Sequence, residues 1–123
     1  MTIKVLPYQF TVCKLDSAGK IPSDREFCFT AITDEEVSLV CRSSDVPDKT
    51  LVRDDGWKGF RIEGVLDFSL IGILAKISAI LAENKIGIFA VSTYNTDYIF
   101  VKEENLDKAL SALENSGYKI ESE

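Results

Sequence analysis

Two short stretches concentrate the polar chemistry of this chain. Leu66-Asp67-Phe68-Ser69-Leu70-Ile71-Gly72 leads into an apolar helical pattern, and Ser92-Thr93-Tyr94-Asn95-Thr96-Asp97 joins two strand-like runs. A helix that opens with Ser69 as its N-cap leaves the amides of Leu70, Ile71 and Gly72 unpaired at the positive end of the helix dipole, which suits a carboxylate. Asp97, with Asp67, has the charge to neutralise an ammonium, and Ser69, Thr93 and Asn95 offer neutral hydrogen bonds. The candidate ligand-binding residues are therefore Asp67, Ser69, Leu70, Ile71, Gly72, Thr93, Asn95 and Asp97, and together they fit the two charged ends of an α-amino acid. Each also has an ordinary use. Asp97, Asn95 and Thr96 are common turn residues, and one of the two aspartates can simply cap the helix. Gly72, which costs about 1 kcal/mol relative to alanine inside a helix, either lets a ligand or backbone approach closely or makes room for helix-to-strand packing.

Other chemistries lack their residues. The histidine count is zero, which removes the usual general base, the usual metal ligand and every Ser/His or Cys/His nucleophile pair. No GxxxxGK[ST] phosphate loop is present, no GxGxxG follows a strand, and no carboxylate pair forms an evident acid/base arrangement. The expectation is a protein that is not an enzyme and uses no cofactor and no metal. Cys13, Cys28 and Cys41 are separated in sequence and set among Val, Phe and Leu. With neither a disulfide framework nor a CxxC pair, they read as small buried hydrophobes in a reducing compartment.

At 123 residues and 46% hydrophobic content the chain fits one domain, or two very small ones packed together. Asp+Glu 20 against Lys+Arg 14 gives a net charge of −6, with the basic residues dispersed. That field repels a polyanion, so no nucleic-acid partner is expected. No window approaches the roughly 18 to 20 apolar residues that span a bilayer, and MTIKVLPYQF has no apolar signal core, so the expected setting is the cytoplasm, with no membrane.

The elements that must position the polar stretches are clearest in the second half. Gly59 to Val65 has strand composition, and Leu70, Ile73, Leu74, Ile77, Ile80 and Leu81 fall on one face of a helix. Ile88 to Tyr94 and Asp97 to Lys102 form a hairpin. A second helix follows an acidic start at Glu103, Glu104 and Asn105, with Leu106, Ala109, Leu110 and Leu113 on one face, and Gly117 ends it before a strand from Tyr118 to Glu121. The order βαββαβ predicts an α+β, ferredoxin-like sandwich with both helices on one face of an antiparallel sheet. In it the first and third strands are central neighbours.

In the first half, Pro7 to Leu15, Glu26 to Thr33 and Glu36 to Arg42 read as strands. Asp16 to Arg25 is too short and polar for a full helix, and Ser43 to Trp57, with Asp54-Asp55-Gly56, allows one helical turn at most. Laying Phe29 to Val40 over Ala90 to Val101 aligns two hairpins and puts Glu36 on Asp97 at a shift of about 61 residues. The division expected is a degenerate module over 1–58 and a regular module over 59–123.

GVLDFSLIGILAKISAILAENKIGIFAVSTYNTDYIFV, with its LDFSL and STYNTD motifs, resembles the ACT-domain family of small regulatory modules that bind amino acids. The resemblance covers Phe60 to Ile120 and is similar to the modules of lysine-sensitive aspartate kinases and of the animal cytosolic arginine sensor. It implies an effector held between two modules, with Leu66 to Gly72 as the effector loop and Ser92 to Asp97 as the adjoining wall. It also implies a stand-alone regulatory protein that binds an amino acid or similar small zwitterion, and a homodimer, since ACT-like sheets pair side by side or face to face. No kinase or dehydrogenase segment accompanies the module, and the first half lacks a recognisable effector loop. The competing expectation is a structural interaction module that oligomerises through its sheet without a ligand. On that view Tyr98 and Phe100 present a face to a partner; otherwise they are core beneath the helices.

Overall fold

The structure, a computed structural model, describes residues 1–63 and 71–122. Among them the chain forms β1 (Thr2–Leu15), β2 (Phe29–Ile32), β3 (Val37–Arg42), β4 (Val52–Ile62), α1 (Ile73–Glu83), β5 (Ile88–Ser92), β6 (Asp97–Lys102), α2 (Leu106–Asn115) and β7 (Lys119–Ser122). Two compact units result. The larger contains Met1–Pro7 and Lys58–Glu123, and the smaller contains Tyr8–Trp57. The first seven residues thus group with the second half of the chain, and β1 and β4 each supply residues to both units.

In the larger unit, period-2 alternation decides which face of each strand is buried. Ile3 and Val5, Phe60 and Ile62, and Ile99 and Val101 turn to one apolar cluster, which Ile77 and Leu81 of α1 and Ala109 and Leu113 of α2 complete. These helical residues are the i, i+4 positions of the apolar faces expected from spacing, and Ile73, Leu74, Ile80, Leu106 and Leu110 pack at the margin. Tyr98 and Phe100 point away from this cluster. Phe100 stacks on its cross-strand partner Phe89 with centroids 4.7 Å apart and planes at 13°, and an Arg61 guanidinium N–H donates to the Tyr98 hydroxyl at 3.3 Å. The fold is α+β, with β4 and β6 neighbours as the ferredoxin-like order requires.

One strand departs from that order. β7 pairs in parallel with the start of β1, with Thr2 opposite Lys119 and Val5 opposite Ser122, and the Glu63 N–H donates to the Thr2 carbonyl at 2.9 Å. The larger unit's strands therefore run β7-β1-β4-β6-β5, with an N-terminal segment inserted between β7 and β4. Sequence reading places no strand at Thr2 to Leu6, yet Ile3, Val5 and Leu6 are buried.

The helix boundaries revise where α1 is entered. α1 begins at Ile73, not Leu70, and its N-cap is Gly72 rather than Ser69. Gly72 has φ +81, a left-handed conformation that stops the helix from extending backward and costs an L side chain about 1 kcal/mol or more. Among the described residues a Cβ there would meet nothing within 4 Å, so close approach or packing against any of them does not explain the glycine. α2 ends as expected at Gly117, which at φ +100 lets Tyr118 N–H reach the Leu113 carbonyl at 3.1 Å and Gly117 N–H reach Glu114 at 3.0 Å. Glu103–Asn105 form a 3-10 turn ahead of α2 rather than its first turn.

In the smaller unit the strands run β2-β3-β1-β4, and 3-10 turns stand at Ala18–Lys20 and Ser43–Asp45, in the two connections read as too short for full helices. β4 starts seven residues earlier than the expected Gly59. Asp54-Asp55-Gly56 reads as a turn but lies within the strand, where Gly56 adopts φ +83 and Asp55 accepts a hydrogen bond from Thr11 Oγ1 at 2.6 Å.

The internal echo is present at a different shift. Ile32 pairs with Val37 as Ser92 pairs with Asp97, and Phe29 with Val40 as Phe89 with Phe100, a displacement of 60 residues instead of 61. β3 and β6, both with the burial order intermediate, intermediate, three buried, intermediate, obey the same displacement, as do the 3-10 turns that follow them. Glu36 corresponds to Thr96, and Asp97 to Val37. Matching the two carboxylates shifts the true hydrogen-bond register by one residue.

Candidate functional site

The polar hairpin corner is largely committed to its own turn. Thr93 N–H and Thr93 Oγ1 both reach the Thr96 carbonyl, at 2.8 and 3.0 Å, and Ser92 Oγ donates to Asp97 Oδ1 at 2.5 Å. Thr96 is buried, and its hydroxyl donates to the Ile62 carbonyl at 2.7 Å, tying the corner to β4. Thr96→Val keeps the shape but leaves that carbonyl without the hydroxyl. A loss of about 1–3 kcal/mol is expected, read as a lower urea midpoint at unchanged m-value, with exposed Tyr94→Ala as the neutral comparison. A midpoint equal to the unaltered chain's would contradict it.

The open space lies elsewhere in the same unit. Around the entrance to α1 is a cavity of about 480 Å3 lined by Met1, Ile71, Gly72, Ile73, Lys76, Ile80, Ser116, Gly117 and Tyr118. Of the sequence-derived candidates it contains Ile71, which is 93% exposed, and Gly72. Thr93 and Asn95 are exposed and Asp97 half-buried at the hairpin corner, and none of the three lines the cavity. Asp67, Ser69 and Leu70 lie outside the described residues.

With α1 beginning at Ile73, the amides of Gly72, Ile73, Leu74 and Ala75 have no intrahelical partner, since the first intrahelical bond runs from the Lys76 N–H to the Gly72 carbonyl at 2.9 Å. Its first turn carries no acidic residue, and Lys76 places a cation there. A cation at the positive end of a helix dipole opposes helix stability by about 0.3–1 kcal/mol. Among the described lining residues there is no carboxylate side chain, and Lys76 gives them a positive charge, with Ile80, Ile73 and Tyr118 as their apolar part. Lys76, Ile80 and Ser116–Tyr118 were not expected from sequence. The available signal was Lys76 standing one turn past Gly72 on the wrong end of its helix.

The thiols offer little reactivity. Cys13 and Cys41 share a buried cluster with Leu15 and Leu39, and Cys28 packs against it, so residues distant in sequence meet on one sheet face. Burial pushes all three thiols up, Cys41 to about 12. All stay protonated at neutral pH, which suits packing rather than nucleophilic attack. Among the described residues no group of three or more His, Cys, Asp or Glu has a geometry that could hold a metal ion.

A family model for the ACT domain matches residues 52–115, more than half of the chain. The chain belongs to the ACT-domain family. A crystal structure of an Agobacterium tumefaciens protein is similar over 99% of this chain and 92% of that one, with 30% identity and a TM-score of 0.87. A Vibrio cholerae protein of unknown function, described as a possible transport protein, is 20% identical with a TM-score of 0.72, covering 91% of this chain and 86% of that one. The ligand-free regulatory subunit of Thermus thermophilus aspartate kinase shares the fold at 11% identity and a TM-score of 0.65, covering 95% and 97%. Ile71 to Ile80 of the cavity wall lie within the matched residues, and Met1 and Ser116–Tyr118 lie outside them. No helix among the described residues is long and apolar enough to cross a membrane.

Proposed function

We propose that this ACT-domain chain is a non-catalytic, cytoplasmic regulatory protein that binds an amino acid or similar small zwitterion at the entrance to α1. The carrying observation is the 480 Å3 cavity at Gly72, where helix amides and Lys76 together present positive charge beside an apolar wall. The ligand's carboxylate faces Lys76 and these helix amides, and its side chain covers Ile80 and Tyr118. Asp67 remains the proposed partner for its ammonium, whereas Asp97, which does not line the cavity, is no longer assigned to it. Similarity to a regulatory subunit of aspartate kinase supports the regulatory reading. The corresponding hairpins support a degenerate ACT-like module within 1–58 and a regular one at 59–123, although Met1–Pro7 group with the latter. β5 pairs only with β6 among the described strands, and its other edge is the proposed contact in a homodimer. Ligand-dependent regulation requires that the amino acid bind two arrangements of that assembly with different affinity.

A thermal-shift screen of the twenty amino acids tests this. At 100 times its dissociation constant a ligand adds about 2.7 kcal/mol. Lys76→Glu should then lose the response at least tenfold in affinity, while the new carboxylate in the first turn stabilises the helix. The two signs are opposite, so a folding defect cannot imitate the result. No shift with any amino acid would remove this reading and leave a ligand-insensitive oligomer in its place.

A further inference from the structure

Three thiols far apart in sequence share one face of the smaller unit's sheet, and the strand register decides which two of them meet. In the β2–β3 ladder Ile32 is opposite Val37 and Phe29 is opposite Val40. One more step along the same register sets Cys28 opposite Cys41. The hairpin is closed by the Thr33 N–H, which donates to the Glu36 carbonyl at 2.9 Å. Hydrogen-bonded and non-hydrogen-bonded pairs alternate from that closing pair, which makes Cys28–Cys41 a non-hydrogen-bonded one. Cα atoms at such a position stand about 4.5 Å apart, within the span of about 4.4–6.8 Å that a disulfide bridges.

The third thiol is placed differently. Cys13 is opposite Leu39, so it is a diagonal neighbour of Cys41, at a Cα separation of about 7–8 Å that closes only with backbone movement. From Cys28 it is two strand spacings away, about 9–10 Å, because β3 lies between β2 and β1. Side-chain direction agrees, since Cys28 packs against the cluster that contains Cys41. The backbone before Cys28 is pinned as well. Phe27, at φ +55, sets its ring against Tyr8 and Phe10 on the other face of the sheet, with centroids 5.6 and 6.4 Å apart.

We propose that Cys28 and Cys41 are a redox-active pair, which a low-molecular-weight disulfide converts into a cross-strand disulfide while Cys13 stays a free thiol. Cys28 is half-buried and Cys41 buried, so the small disulfide reaches Cys28 first. Cys28 Sγ, as thiolate, attacks one sulfur of the reagent. That S–S bond breaks, the first small thiol leaves, and Cys28 carries the other as a mixed disulfide. Cys41, having given its proton to solvent, attacks Cys28 Sγ and releases the second small thiol. The protein loses two electrons and two protons, and the reagent gains both as two thiols. Burial first, then the Asp45 carboxylate, pushes the Cys28 thiol up, and burial pushes Cys41 up to about 12. Exchange is therefore slow at neutral pH, and the reduced pair packs as core until a small disulfide accumulates. In a reducing compartment a bridge of this kind is transient and reports oxidant.

Tryptic mapping of the full chain tests this, because Cys28 and Cys41 fall in one peptide, residues 26–42, and Cys13 in another, residues 5–14. The folded chain is treated with oxidised glutathione at about pH 8.5, near the ordinary thiol pKa, then unfolded in N-ethylmaleimide and digested. The expected result is peptide 26–42 without label and two hydrogens lighter, with peptide 5–14 labelled, in at least tenfold excess over any other pairing. Cys13→Ala should leave that closure intact, and Cys28→Ser should leave Cys41 a free thiol. The same reaction in urea removes the register. Chain spacing separates Cys13 from Cys28 about as far as Cys28 from Cys41, so both pairings should then appear. Glutathione retained on Cys28 beside a labelled Cys41, a link between the two peptides in the folded chain, all three thiols labelled, or the same distribution in urea would each overturn the proposal.

Discussion

Replacing Phe60 by alanine is expected to destabilise the chain by about 3–5 kcal/mol, the cost of removing a buried aromatic ring together with the cavity left behind. The ring is 0% exposed and sits on the inward face of β4, in the cluster shared with Ile77 and Leu81 of α1 and Leu113 of α2. It is therefore common to the sheet and both helices. Neither helix is long enough to hold itself in water without that packing, since isolated helices under about 12–15 residues are marginal. Urea denaturation gives the measurement. The Phe60→Leu variant, which keeps much of the volume, should lose less than the alanine variant. If alanine costs under about 1 kcal/mol, or leucine costs more than alanine, the cluster is not the packing centre described.

The sequence carries this core because its period is local. Ile73, Ile77, Leu81 and Leu106, Ala109, Leu113 repeat at helical spacing, and any amphipathic helix must turn that stripe inward. Gly117 likewise has only one conformational reason to follow Leu113 by four residues. What escapes detection depends on distant partners. Thr2 to Leu6 becomes a strand because β7 and β4 flank it, the first over one hundred positions away and the second about sixty, an arrangement that no period in MTIKVLP encodes. Asp54-Asp55-Gly56 stays within β4, left-handed Gly56 included, with Asp55 held by Thr11 and by Arg53, whose Nη2 is 2.8 Å from Oδ1, whereas local propensity favours a turn.

The same division runs through the candidate site. Residue type placed polar groups at the hairpin corner but could not assign their destinations. Thr96 is consumed by the Ile62 carbonyl and Ser92 by Asp97, contacts set by strand register. Gly72 stands at the cavity through its backbone, since its left-handed φ ends the helix there. Tyr118 reaches the same cavity because α2 ends beside the start of α1, so spacing along the chain does not show it.

Raising pH should destabilise the chain in proportion to the proton that Cys41 refuses to release. An unfolded thiol loses its proton near 9.0, whereas burial first of all, then the neighbouring Cys13, Cys28 and Asp45, holds the folded Cys41 thiol up to about 12, with Arg53 opposing weakly. Below pH 9 both states keep the proton and this group contributes no pH dependence. Above it the unfolded chain deprotonates while the folded one does not, so stability falls by about 1.4 kcal/mol per pH unit until about 12. Over pH 9 to 11 the loss amounts to roughly 3 kcal/mol from this thiol. Cys41→Val, which keeps an apolar side chain at a fully buried position, removes the titration. Lysine and tyrosine titrations are common to both proteins, so the difference between their urea midpoints isolates the thiol. Cys13 and Cys28 are also pushed up by burial and retain part of the slope in the variant. Parallel pH profiles for the two proteins would mean that Cys41 is hydrated when folded, and the apolar sheet face that gathers the three thiols would then have to be open to water.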